Sequence, residues 1–132
     1  MSLLQHPVLT AADAVALVRA LAPHGDVEGT LAIGLDRERQ LCGVATNPRH
    51  RALSFVKVWE LSALAAELDA CTLVLAVFPP GPFRPPSPHE IDTFGELCVR
   101  AHRAQVRLLD CVVIRGEHWW SLCELNLEQV DV

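Results

Sequence analysis

Residues 71–78 read Cys-Thr-Leu-Val-Leu-Ala-Val-Phe, an apolar run rich in β-branched side chains and interrupted only by Thr72. A run of this length without polar alternation fits a strand buried on both faces, with helices covering the sheet that contains it. It falls far short of the roughly 20 residues that a membrane-spanning helix needs. Residues 106–114 (Val-Arg-Leu-Leu-Asp-Cys-Val-Val-Ile) form a second strand of similar character.

Around these strands the periodicity alternates between helix and strand. Thr10 can cap a helix, with Asp13 three residues on as a shorter form of the usual capping-box acid. Ala14, Leu17, Val18 and Leu21 then follow at helical spacing and give one apolar face, and Pro23-His24-Gly25 ends it. Residues 28–35 set Leu31, Ile33 and Leu35 against Thr30, Ala32 and Gly34 and read as a strand. Asp36-Arg37-Glu38-Arg39 is a polar turn, and residues 40–45 return as the second strand of a hairpin. Asn47-Pro48 marks residues 46–51 as a loop. Leu61, Leu64, Ala65 and Leu68 share the face of a second helix, closed by Asp69-Ala70. Residues 79–88 hold six of the nine prolines, which excludes helix and central strand. Ser87, Pro88 and Glu90 then spell a Ser-x-x-Glu capping box that opens a third helix, with Ile91, Phe94, Cys98 and Ala101 on its apolar face. Residues 115–118 turn the chain, 119–123 read as a final strand, and 124–132 form an acidic tail with room for a short helix. The order predicts a single α/β domain, a mixed β-sheet with flanking helices.

Composition narrows the function classes. Hydrophobic residues make up 51% of the 132 and charged residues 20%, the balance of a folded globule. The net charge of −5, from 16 acidic and 11 basic residues, argues against a general nucleic-acid binder. The five cysteines, Cys42, Cys71, Cys98, Cys111 and Cys123, are odd in number, include no Cys-x-x-Cys pair and lie in or beside apolar runs. They read as reduced thiols of a cytoplasmic protein. No basic residue precedes an apolar stretch near Met1, so no secretory signal is expected.

The ordered set of elements, with specific residues in them, resembles the RadC-type JAB/MPN domain. Glu28 and Leu35-Asp36 stand at the start and end of its first strand. Leu68-Asp69-Ala70 matches the end of its helix, and Phe78-Pro79-Pro80-Gly81 and Pro86-Ser87-Pro88-His89-Glu90 match its metal loop and following helix start. Leu109-Asp110-Cys111-Val112-Val113-Ile114, then Ser121-Leu122 and Glu124, match its last strands. The resemblance covers residues 28–125 and implies a JAB/MPN-like (cytidine-deaminase-like) fold, with residues 1–27 as an N-terminal helical extension and 126–132 as an acidic tail.

Active members of that family hold one zinc through two His and one Asp and use the metal-bound water to hydrolyse an amide or isopeptide bond. A Glu accepts the water's proton and a Ser helps hold the oxyanion. By the resemblance, Glu28 takes the general-base place, Ser87 the serine place and Glu90 the Asp place. The two His fall on Ala76 and Phe78, or on Val77 and Pro79, none of which binds metal. Cys111 stands for a family His and Arg115 for a Gly. The resemblance therefore implies a pseudoenzyme, with Glu28, Ser87 and Glu90 as relic positions, no metal and no cofactor, that works as a protein-interaction or scaffold module. Its partner would be another protein or a second copy, and the family name carries a loose link to DNA repair.

Simpler roles stand beside these. Glu28 reads as a solvated strand-end carboxylate, Ser87 and Glu90 as a helix cap, and Cys111 as core. The alternative function is a metal-dependent isopeptidase or peptidase with a rearranged site, built from Glu28, His89, Glu90 or Asp92. Arg37, Arg39, Arg49, His50, Arg51 and Arg84 leave a local basic patch as a weak argument for nucleic acid. Trp119 and Trp120 point to opposite faces of a strand, so at most one is expected to face the core, and Trp is favoured at binding hot spots. With Phe83 and Arg84 of the proline loop they form the expected partner-binding set.

Overall fold

The computed structural model describes residues 6–22, 30–47, 56–79 and 84–130. They form helices α1 (Ala11–Leu21), α2 (Val58–Glu67), α3 (Pro88–Arg103) and α4 (Leu122–Val130). The strands are β1 (Thr30–Leu35), β2 (Leu41–Asn47), β3 (Thr72–Val77), β4 (Arg107–Arg115) and β5 (His118–Ser121). None of these helices is long and apolar enough to cross a membrane.

The strands make one mixed sheet in the order β2-β1-β3-β4-β5. β1 pairs antiparallel with β2 and β3, and β4 pairs antiparallel with β5. Only β3 and β4 run parallel, joined by the α3 crossover that such a pair requires. Every residue of β1 and of β3 is buried, which is what the unbroken apolar run of β3 demands. The alternation seen in β1 is therefore not an inside–outside pattern. Both of its faces are covered.

One face carries Ala32, Leu73, Leu75, Val77, Cys111 and Val113, packed under α2, α3 and α4. The other carries Leu31, Ile33, Leu35, Val74, Val112 and Ile114, packed under Leu17 and Val18 of α1. Two glycines set the approach of the helical layer. A Cβ on Gly34 would lie 2.8 Å from the Ala70 Cβ, and one on Gly43 would lie 2.8 Å from a Leu68 methyl. The bulk of Leu68 thus settles directly on the β1–β2 backbone.

Local signals account for the helix ends. Thr10 Oγ1 accepts from the Asp13 amide at 3.1 Å, while Asp13 Oδ2 accepts from Thr10 N at 3.1 Å and Leu9 N at 3.0 Å, closing the box read from the sequence. These backbone bonds hold the Asp13 carboxyl below its ordinary range. At α3, Ser87 caps and Pro88 follows, but the box is only half made. Ser87 Oγ accepts from Glu90 N at 3.2 Å, and the Glu90 carboxylate accepts from the Ser87 hydroxyl at 3.3 Å.

The C-terminal part departs from expectation. β5 stops at Ser121, so Cys123 lies in a helix and not in the last strand, and the short helix for which residues 124–132 left room is α4, which begins already at Leu122. The apolar character of residues 119–123 favoured a strand. The Ser121 hydroxyl, which accepts from Glu124 N at 3.1 Å, starts the helix instead. Asn126 ties α4 to α3 by donating to the Ile91 carbonyl at 3.4 Å. Gly95 makes room for it, since a Cβ there would lie 2.7 Å from Asn126 Nδ2.

Candidate functional site

Of the positions taken from the family resemblance, Ala76 to Pro79 stand at the end of β3, and Ser87 and Glu90 at the start of α3. Thr30, the first described residue of β1, pairs with Val77, so the start of β1 lies beside the end of β3. Glu28 and Phe83 fall outside the described residues. Ala76 and Val77 are buried apolar side chains, and Phe78 packs partly against the α1-side core. Phe78 and Pro79 also lack a metal-donor atom. Ser87 and Glu90 sit on the first turn of α3, and Arg84 Nη2 lies 3.6 Å from Glu90 Oε1. Glu90 is thus engaged by the Ser87 hydroxyl and the Arg84 guanidinium together. His89 and Asp92 are exposed on the same helix. Among the described residues, no group of three His, Cys, Asp or Glu side chains converges as a metal site.

A second cluster is more buried. Asp110 is 6% exposed, and a register shift in β4 aims it. Leu73 pairs with Leu108 but Val74 pairs with Asp110, so Leu109 is the extra residue of a bulge. Asp110 therefore shares the α1 face with Val74. Its Oδ2 accepts from the Ser121 hydroxyl at 2.7 Å. Its Oδ1 accepts from the amides of Cys111 at 2.7 Å and Cys123 at 3.1 Å, the latter in the first turn of α4. Burial raises the Asp110 carboxyl above its ordinary range, against the downward pull of the Ser121 hydroxyl and the two amides.

A cleft of about 290 Å³ opens beside this group, bordered by Thr10, Ala14, Arg39, Asp110, Ser121 and Glu124. The N-terminal turns of α1 and α4 both face it. Its hydroxyl groups and the Asp110 carboxylate are already committed. Thr10 closes its own cap, and the Ser121 hydroxyl donates to Asp110 while accepting from Glu124. Ser121 is 3% exposed. The thiols nearby are held in the neutral form. Burial raises Cys123, pushes Cys98 up to about 12 and lifts Cys111 well above its ordinary value, with Asp110 adding to each. A neutral thiol is a poor nucleophile, so what this cluster does chemically is fasten β4 and β5 to α4.

Trp119 and Trp120 correct one expectation. Trp120 packs against the core under α2, α3 and α4, and Trp119 against the core under α1. A sheet covered on both faces gives each ring a core of its own, and both are half-buried. Arg84 remains on the surface at 59% exposure. The residue that sequence reasoning missed is Trp59, which is 71% exposed on α2. Its place outside the Leu61, Leu64, Ala65, Leu68 stripe was the available signal, because a helix with its apolar face already assigned has no core left for a further large ring.

Searches with known protein families and with curated proteins find no match to this chain.

Proposed function

We propose that this chain is a catalytically silent JAB/MPN-like domain that serves as a protein-interaction module. The observation that carries the reading is the end of β3. There the two places held by histidines in zinc-binding members of the resembled family are Ala76 and Phe78, or Val77 and Pro79, with no donor atom among them. Two further features support it. The mixed sheet with flanking helices agrees with the class of fold the resemblance implies. The relic Ser87 and Glu90 are also occupied locally, by each other and by Arg84. A water molecule at this end of the sheet would lack the cation that makes it a nucleophile near neutral pH.

Metal analysis of protein purified without chelator tests the reading. Zinc well below one per chain is expected. Stoichiometric zinc that is lost in Glu90→Ala would overturn it in favour of a rearranged hydrolase.

A further inference from the structure

We draw no further inference here: the strongest candidate, the apolar outward face of α2 at Trp59, Ala63 and Ala66 beside a cleft of about 210 Å³, is an unpartnered surface patch, and nothing in the structure shows what covers it.

Discussion

Two helices in this protein open on the same four-residue pattern, and the pattern does different work in each. At α3, Ser87 caps the amide of Glu90, and the serine hydroxyl turns to the carboxylate of that same residue. The arrangement is local, and its Glu90 and Arg84 side chains are 33% and 59% exposed. At α4, Ser121 caps the amide of Glu124 in the same way, but its hydroxyl donates to Asp110, a residue of another strand that also accepts from the amide of Cys123. The first motif ends a helix. The second ends a helix and fastens it to the core through a buried carboxylate. The lesson is that Ser-x-x-Glu predicts where a helix starts, while the third group that the serine finds decides how much stability hangs on it.

The largest effects are therefore expected at Asp110 and Ser121. Asp110→Ala leaves the Ser121 hydroxyl and the Cys111 and Cys123 amides without their acceptor in a buried place, where each unmet group costs about 1–3 kcal/mol. A loss of about 3 kcal/mol or more in denaturant unfolding is expected. Ser121→Ala removes a cap and one of the donors to a buried carboxylate, and about 2–4 kcal/mol is expected. A double-mutant cycle between the two positions should show strong coupling, because both single changes break the same bond. Additive losses would mean that the pair does not act as a unit.

How much of this could be read from the sequence depends on the range of the interaction. The capping box of Thr10 and Asp13, the buried β3, the hairpin around residues 36–39 and the start of α3 at Ser87 and Pro88 all depend on residues close in sequence, and all were legible. The role of Ser121 was not. The signal was present at residues 121–124, but the apolar Trp119-Trp120 and Leu122-Cys123 around it read as a continuing strand. What tips Ser121 into a cap is Asp110, brought across by the pairing of β4 with β5. Trp119 and Trp120 were misread for a related reason. The rule that one face of a strand is wet fails when α1 covers one side of the sheet and α2, α3 and α4 the other. In the candidate site, the absence of a metal-donor side chain at residues 76–79 was visible from the sequence, whereas the bulge at Leu109 that re-aims Asp110 exists only in the register.

The pH dependence of stability should separate a buried carboxylate from an exposed one by sign. Asp110 is raised above its unfolded value by burial. Its contribution is fully present below the unfolded value and is lost as pH rises through the folded one. Relative to Asp110→Asn, wild type should lose stability as pH climbs from the acidic side through the raised value, and then level off. Asp13 is lowered by the Leu9 and Thr10 amides. Its contribution is present above the unfolded value and is lost as pH falls through the lowered one, so the difference between wild type and Asp13→Asn should shrink in acid. Urea unfolding of the three proteins from pH 3 to pH 8 checks both signs, and slopes of the same sign would break the contrast.

The smallest effects belong to the α3 start, and they sharpen the comparison most because they test its exposed half. Ser87→Ala removes a cap with a single local bond to the backbone, so about 1 kcal/mol is expected, clearly below the loss at Ser121. Arg84→Ala breaks an ion pair of 3.6 Å whose arginine is mostly solvated, and about 0.5 kcal/mol or less is expected, vanishing as salt is raised. These values follow from geometry alone. Water can replace every partner that Ser87, Glu90 and Arg84 lose, whereas nothing replaces the Ser121 hydroxyl beneath α4. If Ser87→Ala cost as much as Ser121→Ala, the first turn of α3 would have to hold the end of β3 in place as α4 holds β4.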